Sequence, residues 1–296
     1  MLPEALGFGN YELYEQQSPW GYVLDDEPVP FVVDGTQDVV TVTKYNTVQK
    51  GTITVHKEGE VFSHVVEAGG LYQPQYEVQG QPGAVYDITA LEDIVTPDGV
   101  VHAKAGELVA TLTTGSDGTA TSEPLYLGRY QVSERTAPAG MVLDSEPKEV
   151  TLAYAGQEVS VTTADVGFVN ERQKVEISLK KLLEQDETFS IGMNEEWKNI
   201  TFGLFAAEEI VAADGSSIPA DGLIETTGID ENGNASFKTD LPCGASLYVK
   251  EIGTDEHYLL SDEKYPVVFE YAGQDVATVP LEVNDGEAIE NTLKYG

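Results

Sequence analysis

The chain has 296 residues, with 51 Asp and Glu against 16 Lys and Arg and a formal net charge of −35. So few cations argue against nucleic acid, whose binding runs on Lys and Arg, and against anionic membrane surfaces. A single cysteine, Cys243, rules out an intrachain disulfide, so any stable module must find its staple elsewhere.

Taken in chain order, the opening residues MLPEALGFGNYELYE lack the basic start and apolar run of a secretory signal. They lead into an alternating strand, YELYE at 11–15, and this first stretch closes at Asn46. Residues 51–57, GTITVHK, alternate cleanly as the next strand. Further strands are predicted at 107–113, 119–126, 148–155 and 158–164, with a second alternating run, YQVSE, at 130–134 and a close at Asn170. The run VEISLKK at 175–181 then opens a new series, with strands at 234–240, 264–272 and 275–283, a third glutamate-ended run, LYVKE, at 247–251, and a close at Asn291. Turn punctuation falls between them: PDG at 97–99, SDG at 116–118, ADG at 213–215 and 220–222, ENG at 231–233. The best helix candidates are short, at 88–94 and 204–210, and each follows a glycine and an aromatic residue, so both read as strands continuing into one turn. The pattern is that of an all-β protein built of sandwiches or barrels.

Glu15, Glu134 and Glu251 lie 119 and 117 positions apart, so the chain is read as modules in series. Lys57 and Lys181 each follow the preceding asparagine by eleven residues. The expected division is 1–46 as the back half of one module, 47–171 as a second and 172–296 as a third. The joints at 47–51 and 171–174 are too short for flexible tethers, which predicts modules set end to end as a semi-rigid rod.

Strand parity gives these polar residues a common orientation. Tyr130, Val132 and Glu134 share a side; so do Leu247, Val249 and Glu251, and Tyr11, Leu13 and Glu15. Val166, Phe168 and Asn170 share one, as do Ile289 and Asn291. Ile53, Val55 and Lys57 share another, and Ile177, Leu179 and Lys181 repeat it. Each complete module therefore points one Lys, one Glu and one Asn inward. Three ordinary explanations stand beside a chemical one: charged ends that snorkel to solvent, a buried Lys–Glu pair with Asn as its hydrogen-bond partner, or a bulge that shifts parity by one. The chemical reading is a reaction. Burial drives an amine toward its neutral, nucleophilic form and a carboxyl toward its protonated form. A neutral lysine held against an asparagine carboxamide can attack its carbonyl carbon while a carboxyl shuttles protons; ammonia leaves and a Lys–Asn isopeptide bond remains.

The segments YELYEQQSPWGY and YQVSERTAPAG, the LPCG before the third glutamate strand, and the closing Asn and opening Lys strands resemble the Cna B-type (SpaA-type) domains of Gram-positive surface adhesins and pilins. The third copy, YVKEIGTDEHY, lacks the proline of that pattern, and Met141 stands where the family commonly has Tyr. The resemblance implies an immunoglobulin-like or prealbumin-like β-sandwich for each module. It implies isopeptide bonds Lys57–Asn170, assisted by Glu134, and Lys181–Asn291, assisted by Glu251, with Lys180 as a rival that both spacing and parity reject. Glu15 and Asn46 match the motif as orphans whose lysine is expected upstream, which leaves the first stretch uncross-linked and poorly ordered. The function implied is a structural stalk segment, extracellular and wall-anchored through segments outside this one, with no catalysis beyond its own cross-linking. The alternative is an adhesin module gripping a host matrix protein or glycan. Expected partners are neighbouring modules of one longer protein; the chain is expected to be a monomer.

No cofactor or metal is expected. His56, His64, His102 and His257 lack ligand spacing, and DENGN at 230–234 reads as a turn rather than a calcium loop. Cys243, in DLPCGAS, is expected to be a buried or half-buried structural thiol.

Overall fold

The computed structural model describes residues 5–294, so the outermost ends of the first and third expected modules, 1–4 and 295–296, lie outside the described residues. Among the described residues the regular structure is almost all strand, the exceptions being 3-10 turns at Glu196–Asn199 and Val283–Gly286. The stretches 88–94 and 204–210 hold no helix: the strands Val85–Ala90 and Thr201–Ala206 each run out into a bend. The chain clusters into two compact units. One comprises residues up to Lys57 with Gln81–Thr136 and Ser145–Phe168; the other comprises Glu58–Gly80, Ala137–Asp144 and the residues from Val169 onward.

In the first unit, the strands Leu108–Thr113, Val85–Ala90, Gly128–Thr136 and Lys148–Leu152 form one antiparallel sheet in that order. A second sheet is built on the Lys50–Ala68 strand, flanked by Thr119–Thr121 and Leu125–Tyr126, and the Val161–Asn170 strand also pairs with it. Inward residues of both sheets make a single core: Ile53 and Val55 from one, Ile88, Tyr130 and Val132 from the other, with Phe168 packed on Tyr86 at 4.7 Å between ring centroids. Alternation with a buried face is what makes these segments strands rather than loops. Residues 5–46 belong to this unit. Gly9–Leu13 pairs with Val29–Val33, and Tyr22–Val23 pairs with Thr47–Val48. Ser18 N and Leu24 N bond to Gln157, and Trp20 packs against Tyr154 at 5.5 Å.

The second unit repeats the plan. Leu223–Gly228, Thr201–Ala206, Ser246–Gly253 and Tyr265–Val268 form one antiparallel sheet. Lys174–Leu183 is the centre of the other, antiparallel to Asn234–Phe237 and parallel to both Thr278–Glu282 and Ile289–Asn291. The core between them holds Ile177, Leu179, Phe202, Leu204, Leu247, Val249 and Ile289.

The Lys50–Ala68 strand extends eleven residues past Lys57 and turns at Gly69–Gly70 into Leu71–Gly80, a hairpin that sequence patterning did not register. Its second half belongs to the second unit. There Val65 and Tyr72 pack on the core, Gln73 Nε2 donates to Ile224 O at 2.8 Å, and Tyr76 Oη donates to Asp240 O at 3.2 Å. Arg172 pins the same hairpin. Its guanidinium bonds Asp240 at 2.6 Å and Glu60 at 3.1 Å, and lies 3.4 Å above the Tyr76 ring. Burial opposes the charge, but the two carboxylates outweigh it and hold the guanidinium pKa up. Because both carboxylates are about half exposed, the pairs alone are worth little; the stacked ring adds a desolvated contribution. Arg172→Ala is therefore expected to cost the second unit about 2 kcal/mol, read as a lower urea midpoint, with Arg172→Lys recovering less than half because an ammonium cannot fork to two carboxylates and stack.

Candidate functional site

The six inward residues expected from parity are all buried: Lys57, Glu134 and Asn170, then Lys181, Glu251 and Asn291. Lys180, the rival, is exposed.

In the second unit three of them meet. Lys181 lies on the first strand of the sandwich and Asn291 on the last, and the two strands run parallel with Lys181 opposite Ile289 and Leu183 opposite Asn291. That two-residue offset keeps both on one face and brings the lysine amine to the asparagine side chain: Lys181 Nζ donates to Asn291 Oδ1 at 2.5 Å. Glu251 comes from the opposing sheet, where it faces Phe202 across the strands. Its Oε1 accepts Asn291 Nδ2 at 2.7 Å, and its Oε2 lies 3.6 Å from Lys181 Nζ with no hydrogen-bond partner. Thr254 Oγ1 takes the second proton of the same amide at 2.9 Å. All three site residues are sealed, at 1%, 1% and 2% exposure. Burial pushes the Lys181 pKa down, and the nearby carboxylates of Glu251 and Glu290 oppose that push without cancelling it.

A turn fixes the lysine backbone. Lys181 N bonds to Gly233 O at 2.7 Å. Gly233 has φ +80, and a Cβ there would stand 2.0 Å from Lys181 O, so only glycine permits the approach. Asp230 shapes that turn by accepting the backbone N–H groups of Asn232 and Asn234, which is the role of DENGN. The first unit has the same device: Lys57 N bonds to Gly118 O at 2.7 Å, from the SDG turn.

There Lys57 Nζ lies 3.3 Å from Glu134 Oε1, both side chains fully buried. Glu134 faces Tyr86 across the strands, as Glu251 faces Phe202, and the Tyr86 hydroxyl donates to Glu134 Oε1 at 3.2 Å. Asn170 ends the Val161–Asn170 strand, which pairs with the strand carrying Lys57. Sequence reasoning missed Thr254, Tyr86 and both turn glycines. The glycines were marked as turns, but nothing in a turn signal says whose N–H the turn carbonyl will meet.

In the orphan stretch, Asn46 Nδ2 donates to Glu15 Oε1 at 2.7 Å, so these two motif residues also come together.

Elsewhere the expectations divide. Cys243 is exposed rather than buried, because LPCG sits at a surface turn whose leucine and proline, not its cysteine, face inward. Partial desolvation raises its thiol pKa, which works against the thiolate. Among the described residues no three His, Cys, Asp or Glu side chains gather as a metal site, and no helix is long and apolar enough to cross a membrane.

The chemistry open to the Lys181 cluster is narrow. A nucleophile touches a carboxamide, and a carboxyl contacts the amide nitrogen that would leave. All three side chains are closed off from the surface.

Comparison with known proteins gives a family signature and a fold. The SpaA prealbumin-like fold domain matches residues 3–48 and 76–166. No curated protein matches the chain. Among solved structures, the Bacillus anthracis TIE protein is similar with a TM-score of 0.57 at 20% identity, over 97% of this chain and 42% of that one. This chain thus spans less than half of that protein's length, and the likeness establishes the fold. A streptococcal ancillary pilin matches with a TM-score of 0.29 at 14% identity, over 94% of this chain and 76% of its own. The shaft pilin SpaA from Lactobacillus rhamnosus GG matches with a TM-score of 0.27 at 12% identity, over 83% and 99%.

Proposed function

We propose that this chain, which the SpaA prealbumin-like fold domain matches over residues 3–48 and 76–166, is a structural stalk segment of a Gram-positive cell-surface adhesin or pilin-like protein whose sandwiches are self-cross-linked. The observation that carries this reading is the sealed contact of Lys181 Nζ, Asn291 and Glu251. The cross-linking module boundaries are those of the repeat, 47–171 and 172–296, with Lys57, Glu134 and Asn170 acting in the first as Lys181, Glu251 and Asn291 act in the second. In this reading each sandwich's cross-linking chemistry acts on its own side chains.

The reaction follows from the contacts. Lys181 Nζ, its pKa lowered by burial, attacks Cγ of Asn291 and forms the new C–N bond. Glu251 takes the proton released from Nζ through the oxygen nearer the amine. It delivers a proton to Nδ2, which its other oxygen already contacts, so the C–Nδ2 bond breaks and nitrogen leaves as ammonia. The carboxyl ends as it began. Proximity supplies much of the acceleration, because folding has already brought nucleophile and electrophile together.

The amine's titration gives a direct check on the unjoined state. In a Glu251→Ala chain, where the pair stays separate, burial still holds the Lys181 pKa below the ordinary lysine value. Between the lowered value and the ordinary one, the unfolded state binds more protons than the folded state, so unfolding free energy rises with pH across that window and levels off above it. Urea midpoints measured from neutral to alkaline pH are expected to climb. A flat or falling profile would mean that the amine is not held in its neutral form.

A further inference from the structure

The carboxamide of Asn291 is held from three sides, and one of the three holds comes from outside the repeated Lys, Glu and Asn. Its Oδ1 accepts Lys181 Nζ at 2.5 Å; Nδ2 donates to Glu251 Oε1 at 2.7 Å and to Thr254 Oγ1 at 2.9 Å. Both N–H groups of the amide are thereby used, and both on the side away from the amine. Turning the amide over would set the Nδ2 donor against the lysine donor and give up both acceptors. Thr254 thus helps to fix which end of the carboxamide faces Lys181.

The backbone delivers that hydroxyl by a bulge. Residues three apart on a regular strand face opposite ways, so Thr254 would turn from the site that Glu251 faces. Glu251 pairs with Phe202 and Gly253 with Thr201, which leaves Ile252 unopposed and re-aims the chain beyond it. Asp255 anchors the re-aimed segment, accepting Asn199 Nδ2 at 2.7 Å and the His257 backbone N–H at 3.1 Å. The chain bulges in the same way after Glu134, which pairs with Tyr86 while Thr136 pairs with Val85. The residue three beyond Glu134 is Ala137, which carries no hydroxyl. There a hydroxyl meets the carboxyl instead: Tyr86 donates to Glu134 Oε1 at 3.2 Å, where Phe202 stands opposite Glu251.

We propose that Thr254 is a second catalytic residue of the Lys181 site, beside Glu251, and that its task is to hold the leaving nitrogen. The inference rests on the joining chemistry proposed above and adds to it a group that the repeat does not contain. Atoms balance as before: Nζ bonds to Cγ, the Cγ–Nδ2 bond breaks, and the proton lost by Nζ reaches Nδ2 by way of Glu251. Thr254 neither gains nor loses a proton. Its oxygen accepts an N–H whose nitrogen becomes positive as it takes that proton, and hydrogen bonds to charged groups are the stronger ones. The contact therefore tightens toward the transition state, which is what accelerates a step. Thr254 is half-buried while Glu251 is sealed, so it stands on the side from which ammonia can depart. The bond is also temporary. Because Nδ2 leaves, this contact does not hold the finished sandwich together.

The test follows joining in the full chain as cell-free translation produces it. Samples are quenched in denaturant at intervals and digested, and the branched Lys181–Asn291 peptide is measured by mass against its linear parts. Thr254→Val keeps the shape and removes the oxygen; it is expected to slow the branched peptide about 10- to 100-fold. Thr254→Ser, which returns a hydroxyl, is expected to recover most of the wild-type rate. Once joined, Thr254→Val is expected to melt together with joined wild type, since the lost bond involved an atom that has gone. Cooperative urea unfolding shows that the Thr254→Val chain has folded. Equal rates in wild type and Thr254→Val, no recovery in Thr254→Ser, a joined Thr254→Val chain that melts below joined wild type, or loss of cooperative unfolding would each overturn the proposal. A wild-type chain that never forms the branched peptide refutes the joining chemistry itself, whereas formation at a rate indifferent to the hydroxyl refutes only the role of Thr254.

Discussion

Glu251→Ala leaves Lys181 and Asn291 unjoined, and the intact mass of that variant is expected to exceed the mass calculated from the wild-type measurement and the substitution by one ammonia. The size of the effect follows from the geometry. Glu251 is the group that contacts both the leaving nitrogen and the attacking amine, at 2.7 Å and 3.6 Å. Thr254 contacts the amide but carries no titratable proton at neutral pH. With the carboxyl gone, the step loses its proton carrier, worth about 100- to 10,000-fold in rate, and the buried amine also loses its closest counter-charge. Proteolysis and fragmentation should give a branched peptide joining Lys181 to Asn291 in the wild type and two linear peptides in the variant. A wild-type chain of full sequence mass, or a variant as light as the wild type, would sink the cross-linking reading.

Asn291→Ala is expected to lower the melting temperature of the second unit by roughly 10–20 °C. The bond would close a loop between residues 110 positions apart. Restraining an unfolded chain over such a loop is worth about 4–5 kcal/mol by the loop-entropy relation, and a domain of about 150 residues shifts by roughly 2–4 °C per kcal/mol. The variant also strands the Lys181 amine beside a carboxylate in a sealed core, which adds to the loss. Calorimetry separates this from ordinary packing damage. Asn291→Ala and Glu251→Ala should fall together, because both remove the same covalent link, whereas a methyl-scale core substitution such as Ile289→Val should cost about 1 kcal/mol and keep the bond. A drop of one or two degrees in Asn291→Ala would show that no link was present to lose.

Legibility in the sequence followed the physics of each element. Lys57, Glu134, Asn170, Lys181, Glu251 and Asn291 could be read inward because each shares strand parity with core residues such as Val55, Val132 and Leu179, and period-two side-chain placement survives wherever one face is buried. The Glu58–Gly80 hairpin escaped because its residues are mostly half-buried, which weakens alternation, and a register shift between Phe62 and His64 breaks what remains. Gly69 and Gly70, both at positive φ, were its one strong signal. Arg172 was read as part of a joint; its partners Glu60, Tyr76 and Asp240 come from segments no local pattern connects. The contacts of residues 5–46 were beyond local pattern for a related reason: Gln157 and Tyr154, which they meet, lie more than a hundred residues on.

Lys174–Leu183 pairs with Ile289–Asn291, so the proposed reacting partners lie at opposite ends of their module's synthesis. The amine emerges early and the amide last, so no intermediate that lacks the final strand can commit. Until then the module stays reversible, free to unfold, be threaded through a narrow passage or be degraded. On the proposed chemistry, docking of the Ile289–Asn291 strand then acts as a ratchet: it completes the sheet and, in the same event, brings together the atoms whose joining would make completion permanent.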